Sequence, residues 1–418
     1  MKSWLTYYIR RIVNLSILCA TSVFTSILSN IRGVGSNDGV LIIKLEVLGD
    51  FIIFLPALKA YRELYKDKKL TLLVDHGQNA ELAKNLIQLG IIDECIFVDS
   101  KRFVKEFMYR FNMSLNLRRR NFETAIYTAY FRRNIGNFLT QVTRARERFA
   151  FVGFGIEFNG EQYDKHMLGG MFPMFTKVFE LKDYTVNEYE KNFRLVEKIC
   201  GHTVERIQPY FPFIKSAQGN LEVSLQEKLA SYNLPKKYIV LNPGSGRDYR
   251  RWPEDRFAKV GAYAISRGYS VVITGGPNEI ELGKKVSDLI KVDVTTHIAD
   301  STDSTNNVVV VSGQTSATEL AAVMQDSVAV ISNDTGSIHI AASVGVPAIC
   351  IMGCGGYPAF FPYADLSKNI AVVKLSSTCT NAWKCTETEE YIREKKTLAP
   401  CIDNVTVEAA CKALEAFL

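Results

Sequence analysis

Short apolar runs alternate with longer amphipathic stretches along most of this chain, and many runs end in a polar, glycine-bearing turn. Val40–Leu45 is the first run and reads as a strand; the tight loop Glu46–Asp50 follows, then a helical pattern from about Phe51 through Pro56 to Tyr65. Leu70–Val74 predicts a strand, Ala80–Leu89 a helix and Glu94–Val98 a third strand. Beyond a basic region, Thr124–Thr128 predicts a strand, Phe149–Gly160 a Phe/Gly-rich loop and Asn187–Cys200 a helix. Phe213–Asn233 reads as a linker and one small helix, after which the alternation restarts. Strands are predicted at Tyr238–Leu241, Ser270–Thr274, Val308–Ser312 and the apolar run from Val328; helices at Pro253–Arg267, Glu279–Leu289, Ala317–Met324 and from Ser337. Strands alternating with helices at this spacing predict parallel sheets covered on both faces. The expected fold class is α/β, with two Rossmann-like domains facing a cleft: 39–215 and 216–418, preceded by residues 1–38. In open sheets of this kind ligands sit beyond the carboxyl ends of the strands, where these turns lie.

Residues 1–38 need a separate reading. Ile12–Leu28 carries no charge and follows Lys2, Arg10 and Arg11, but Asn14, Ser16, Thr21 and Thr25 dilute its apolarity. Its apolar positions recur at helical spacing, which predicts an amphipathic helix and then a Gly-rich link, the helix either packing on the protein or lying on a membrane surface. Length and composition suit two domains: 418 residues, 47% apolar and 22% charged, which excludes disorder and a polytopic membrane protein. The net charge of +6 is unevenly spread. Lys101–Arg148 holds 12 Lys/Arg against 3 Glu, leaving the remainder of the chain acidic. A solvated helical face explains such a segment, as does a patch turned to an anionic glycolipid or membrane; stacking aromatics of the nucleic-acid-binding kind are not interleaved with it.

Four turns carry the candidate chemistry. In Leu48-Gly49-Asp50, Asp50 either caps its own helix or acts as a general base, with Gly49 allowing close approach of a ligand. In Asn242-Pro243-Gly244-Ser245, followed by Arg247, Arg250 and Arg251, a Gly-Ser turn beside three arginines suits a diphosphate, and a charged surface β-turn explains the same residues. Gly275-Gly276-Pro277 is a turn after a strand and lacks G-x-G-x-x-G spacing, so a dehydrogenase-type dinucleotide site is not supported. In Asn333-Asp334-Thr335-Gly336-Ser337-Ile338-His339, the hydroxyls and free N–H groups of a helix start can hold an anion. Asp334 is also a candidate cap there, and His339 a candidate core residue. Neither a D-x-D for a metal on a diphosphate nor a G-x-x-x-x-G-K-[ST] loop occurs. The nine cysteines include no C-x-x-C pair; Cys19, Cys95, Cys200, Cys350 and Cys411 sit among apolar residues and read as reduced core thiols.

Taken in order, five segments resemble glycosyltransferase family 9, the lipopolysaccharide heptosyltransferase family: IIKLEVLGDFIIFLPALKAYREL, YIVLNPGSGRDYRRWPEDRFAKV, VVITGGPNE, SGQTSATELAAVM and ISNDTGSIHIAASVGVPAICIMG. The resemblance covers about residues 40–405. It implies the glycosyltransferase B fold and an inverting, metal-independent enzyme with no cofactor beyond its nucleotide-sugar substrate, expected to be ADP-linked with heptose as the sugar. The acceptor implied is a lipopolysaccharide-core or related anionic oligosaccharide or glycolipid, used at the cytoplasmic face of the inner membrane, with no nucleic-acid partner. Asp50 falls at the family's general base and Arg250 at a basic residue contacting the donor phosphates. Asp334, Thr335, Gly336 and His339 match the donor-binding D-T-G-x-x-H segment, and Ser337, Asn242, Gly244, Ser245, Gly275 and Gly276 complete the donor-side expectation. Gly49, Arg132 and Arg133 are the acceptor-side candidates. Cys379, Cys385 and Cys401 resemble a cysteine cluster of some members, although Asn381-Ala382-Trp383 stands where those members often have another Cys. Glu46-Val47 replaces the small polar pair usual before Leu48-Gly49-Asp50. Two other readings stay open on the residues: a same-fold transferase using a UDP- or GDP-sugar for capsule or glycoprotein, and a non-catalytic sugar-nucleotide-binding partner.

Overall fold

The computed structural model describes residues 39–77, 79–130, 132–152, 175–181, 183, 186–213, 221–297, 307–353, 360, 363, 370–373 and 400–418. The helix expected within residues 1–38 and Cys19, Cys354, Cys379 and Cys385 lie outside them.

The elements run β1 (Val40–Lys44), α1 (Leu48–Leu64), β2 (Leu70–Asp75), α2 (Asn79–Gln88), β3 (Glu94–Val98), α3 (Ser100–Lys105), α4 (Phe107–Arg119), β4 (Thr124–Tyr127), α5 (Asn134–Thr143), β5 (Glu147–Phe151), β6 (Lys177–Phe179) and α6 (Glu188–Cys200). They continue with α7 (Val223–Ser231), β7 (Tyr238–Asn242), α8 (Glu254–Ser266), β8 (Ser270–Ile273), α9 (Ile280–His297), β9 (Val308–Val310), α10 (Ala317–Gln325), β10 (Val330–Asn333), α11 (Gly336–Ser343), β11 (Ala348–Ile351), β12 (Ile370–Val373), α12 (Pro400–Asp403) and α13 (Val407–Glu415). Three-residue 3-10 turns at Asp248–Arg250 and Pro277–Glu279 interrupt two of the loops.

Two six-stranded sheets result, and every pairing in them is parallel. The first has the order β3-β2-β1-β4-β5-β6 and the second β12-β11-β10-β7-β8-β9. Counted from its own first strand, each is the 3-2-1-4-5-6 order of dinucleotide-binding folds, so the chain is α/β with two Rossmann-like halves, the glycosyltransferase B architecture. The switch points lie between β1 and β4 and between β7 and β10. All five residues of β1 and of β7 are buried, as strands covered on both faces must be. Each sheet has its own apolar core.

The chain divides into two compact units. One holds residues through Val47, Ala57–Tyr184 and Lys191–Arg206; the other holds Leu48–Pro56, Thr185–Glu190 and Ile207–Leu418. The change of unit inside α1 falls at Pro56, whose ring nitrogen has no N–H to donate to the previous turn. Among the described residues, no helix is long and apolar enough to cross a membrane.

Several local expectations shift. The helix expected from Phe51 starts at Leu48, and the helix expected to end at Leu289 runs on to His297. The loop expected from Phe149 begins inside a strand, Glu147–Phe151. The basic region folds into α3, α4 and α5. Cys95, Cys200, Cys350 and Cys411 carry free thiols, and Cys350 is fully buried in β11.

Candidate functional site

The switch point of the second sheet is tied together by one side chain. Asn333, the last residue of β10, is fully buried; its Nδ2 donates to the carbonyls of Pro243 (2.9 Å) and Gly244 (3.0 Å), and its Oδ1 accepts the backbone N–H of Trp252 (2.9 Å). The loop after β7 is thereby pinned at both ends to the strand beside it. Trp252 is itself buried, donates from Nε1 to the Val405 carbonyl (2.9 Å) and packs edge-on against Phe257. Asn242 is buried at the end of β7 and donates to Thr274 Oγ1 (3.0 Å), linking the mouths of β7 and β8. Ser245 Oγ accepts the Arg247 N–H at 3.4 Å, closing the turn between them.

Of the three arginines in this loop, Arg247 is exposed and Arg251 is paired with Asp248 at 2.6 Å. Arg250 is half-buried and lies near enough to Asp334 to act on its titration: burial raises the Asp334 carboxyl above the usual range and the Arg250 charge opposes that rise.

Helix α11 opens two residues after Asp334. Its N-cap is Thr335, not Asp334: Thr335 Oγ1 accepts the Ser337 N–H at 3.4 Å and lies 3.2 Å from Ser332 Oγ. Gly336 is half-exposed at the first helical position and Ser337 is buried behind it. His339 is buried in the first turn, and burial depresses its pKa to about 3, so the imidazole is neutral. The Tyr363 hydroxyl, its pKa pushed well above the ordinary value by burial, keeps its proton and is hydrogen-bonded to His339 Nδ1. The Cδ2–Nε2 edge of the ring faces Gly49, where an added Cβ would meet His339 Cδ2 at 2.8 Å, Gly336 Cα at 3.2 Å and His339 Nε2 at 3.5 Å. In the unit that holds both, the start of α1 and the start of α11 therefore abut, glycine against glycine. The α1 N-cap is Val47, which makes no side-chain cap hydrogen bond, and Asp50 stands in the first turn. Two helix N-termini converging in this way concentrate unpaired N–H groups and positive dipole ends.

A third feature lies at the mouth of β8. Glu279 Oε2 accepts the Gly276 N–H at 2.7 Å. The same carboxylate occupies the space a Gly244 Cβ would take, with Oε1 only 2.1 Å from that position, and lies 3.1 Å from the one at Gly275. Gly244, Gly275 and Gly276 thus form a cradle already holding an anionic group, which suits hydroxyl donors rather than a phosphate.

In the other unit, the switch point between β1 and β4 carries Lys44 and Glu46, paired at 3.2 Å. Lys44 is buried, and Asn79 fixes the loop by donating to the Glu46 carbonyl (2.8 Å). Arg133 is exposed just before α5, its N–H donating to Tyr127 Oη (3.0 Å). Arg132 is half-buried: it donates to the Val152 carbonyl (2.7 Å) and lies over the Phe175 ring, and burial lowers its pKa. Among the described residues, no group of three or more His, Cys, Asp or Glu side chains is placed to hold a metal ion.

The sequence model described as glycosyltransferase family 9 (heptosyltransferase) matches residues 163–392, more than half of the chain. The chain belongs to glycosyltransferase family 9. The relative "Lipopolysaccharide heptosyltransferase 3" of Escherichia coli K12 is 29% identical over 188 residues, covering 42% of this chain and 52% of that protein, so the match spans about half of the relative's length. Two solved structures share the fold. E. coli ADP-heptose LPS heptosyltransferase II superposes with a TM-score of 0.65 at 17% identity, covering 91% of this chain and 98% of the other. E. coli heptosyltransferase WaaC, solved with ADP-2-deoxy-2-fluoro heptose, gives a TM-score of 0.57 at 19% identity over 86% and 100%.

Within this family 9 chain, the structure gathers Gly49, Gly336 and His339 at one point and Asn242, Gly244, Gly275 and Gly276 at the β7–β8 mouths. Arg132 and Arg133 lie after β4, in the other unit. Sequence reasoning missed Asn333, Glu279 and Tyr363. Asn333 and Glu279 each sat inside a turn already singled out. Tyr363 is 24 residues beyond His339 and carries no local signal.

Proposed function

We propose that this family 9 chain is an inverting, metal-independent glycosyltransferase that moves heptose from an ADP-sugar to an anionic lipopolysaccharide-core or related oligosaccharide. The reading places it as a peripheral enzyme on the cytoplasmic face of the inner membrane. The observation that carries the chemistry is the convergence of the start of α1, bearing Asp50, on the start of α11, with Arg250 and Asp334 beside it. Further support comes from the two E. coli heptosyltransferases of the same fold, one solved with an ADP-heptose analogue.

In this mechanism the acceptor hydroxyl, a weak nucleophile, gives its proton to Asp50 as it attacks the anomeric carbon; a well-placed base of this kind contributes about 10²–10⁴-fold. The C–O bond to the diphosphate breaks as the new bond forms on the opposite face, which inverts the anomeric centre. Negative charge then grows on the departing diphosphate. Arg250 and the positive end of α11 at Gly336 oppose it without a metal, and His339, carrying its proton on Nε2 in this reading, adds a neutral donor. A neutral imidazole donates a hydrogen bond without giving up a proton to the leaving group, so the site does not compete with Asp50 for acid–base work. Glu279, held by the Gly276 N–H, accepts from the vicinal hydroxyls of the nucleoside ribose. Gly49 keeps the Asp50 turn close to α11, and Arg132 and Arg133 meet the anionic acceptor.

The test is transfer from ADP-heptose by wild type and Asp50→Asn, alongside calorimetric binding of ADP, UDP and GDP. Transfer is expected to fall by two or more orders of magnitude in the variant, with ADP affinity kept and ADP preferred. Near-normal transfer by Asp50→Asn would remove the base assignment, and preference for UDP or GDP would remove the donor.

A further inference from the structure

Helices α3 and α4 form a corner on the first unit, joined at Glu106 in an extended conformation. Phe103 is buried and Arg110 turns its guanidinium inward, donating to the carbonyls of Phe103 (2.8 Å) and Val104 (3.0 Å) at the end of α3. With those inward positions filled, large apolar side chains face solvent: Val104 is 49% exposed, Phe107 50% and Met108 61%. Phe107 also stacks on Phe111, with ring centroids 6.2 Å apart and planes at 13°. Single exposed apolar residues are ordinary; three large ones within five positions are not. Lys101 and Lys105 are exposed beside them, while Arg102 is matched by Glu106 at 2.8 Å. An open cleft of about 560 Å³ next to this corner is lined by Arg102, Met108, Tyr109, Asn112 and Arg120. Its two guanidinium groups are both paired with carboxylates, Arg120 with Glu94, so the cleft has no uncommitted arginine for an anion.

We infer that the α3–α4 corner is a docking surface for an anionic phospholipid bilayer. Val104, Phe107 and Met108 enter the boundary between headgroups and acyl chains, and Lys101 and Lys105 reach the lipid phosphates. Aromatic and aliphatic side chains beside lysines are the composition of an interfacial anchor, in which apolar insertion and cation–phosphate attraction act together. The charge of the two helices favours this occupant: α3 and α4 carry Lys101, Lys105, Arg118 and Arg119 besides the paired Arg102 and the inward Arg110, with Glu106 between the helices as the one acidic residue of 100–119. A second copy of the chain would bring the same cations against each other and is disfavoured for that reason. The inference deepens the membrane part of the function proposed above. It is tested without donor or acceptor, so it and the transferase reading can fail separately.

The experiment is flotation of the full chain with vesicles of phosphatidylethanolamine and phosphatidylglycerol, against vesicles of phosphatidylcholine alone. Two variants are compared, Phe107→Ser with Met108→Ser, and Lys101→Glu with Lys105→Glu; thermal unfolding confirms that each is folded. Wild type should bind the anionic vesicles and release in high salt. The charge variant should lose on the order of tenfold or more in partitioning, at about fivefold per cation removed. The apolar variant should lose about tenfold or more while retaining its salt dependence. Failure of wild type to bind, equal binding to neutral vesicles, or unchanged binding in both variants would overturn the inference. So would a variant that alters the oligomeric state in solution and leaves vesicle binding as it was.

Discussion

Replacing Asn333 with aspartate changes one nitrogen to an oxygen, and the structure predicts a large effect from that change. The Asn333 Nδ2 supplies two donors, to Pro243 and Gly244 carbonyls at 2.9 and 3.0 Å, while Oδ1 accepts from Trp252 at 2.9 Å. Aspartate keeps the acceptor and loses both donors. Each lost bond costs about 1 kcal/mol net, and a buried carbonyl left without a partner adds to that. The carboxylate also brings a charged oxygen against two carbonyl oxygens in a fully buried place. A loss of roughly 3 kcal/mol or more is expected at pH 7. Asn333→Ala, which leaves the same carbonyls unpaired without adding charge, should lose less. The new carboxyl would have a folded pKa above its unfolded value of about 3.9. Its destabilisation therefore grows as pH rises through the unfolded pKa, and the gap to wild type narrows as pH falls toward it. Urea unfolding followed by Trp252 fluorescence, with Trp4 and Trp383 replaced by Phe, reads the loss in the unit that holds the site. A loss below about 1 kcal/mol at neutral pH, or a gap that does not change with pH, would refute the role given to Asn333.

Gly49→Ala places a methyl 2.8 Å from His339 Cδ2 and 3.2 Å from backbone at Gly336; overpacking there should cost about 1–3 kcal/mol in thermal unfolding and weaken ADP binding in calorimetry. His339 is held neutral with its pKa at about 3, below its unfolded 6.5, so the unfolded chain binds the extra proton between those values. Its contribution is complete above about pH 6.5 and is lost as pH falls toward 3, at most about 5 kcal/mol; wild-type and His339→Gln stability curves should converge on the acid side. Glu279→Gln should weaken ADP binding, and 2′-deoxy-ADP should bind wild type and variant more nearly alike than ADP does; equal losses for both nucleotides would detach Glu279 from the ribose.

Much of the fold was legible because covered parallel strands are continuous apolar runs and their turns are glycine-marked. Most strands of both sheets follow from that pattern, but β5 fell where a loop was expected and β6 and β12 were not expected as strands. The basic region was not legible, for a physical reason visible at α4: Arg110 and Ser114 are buried there while Phe107 and Met108 are exposed. Arg110 is spent on the carbonyls that end α3, and Ser114 Oγ donates to the Arg110 carbonyl (2.7 Å), so polarity and burial no longer run together. At the candidate site, the turns were readable but the division of labour among them was not. Gly244 sat in a turn that suited a diphosphate and Gly275-Gly276 in a plain turn after a strand, and only the folded chain brings Glu279 into their midst. The partner of His339 was equally hidden, since Tyr363 reaches it from a separate segment.

The carboxylate among those three glycines has a consequence for selection between metabolites. A cell holds many adenine nucleotides, some phosphorylated on the ribose, together with abundant free phosphate. In the donor pose proposed above, a fixed negative charge at the β7–β8 mouths would repel a 2′- or 3′-phosphate by placing like charges in contact, and would keep inorganic phosphate from settling there as a competitor. The pocket would then exclude its abundant look-alikes by repulsion.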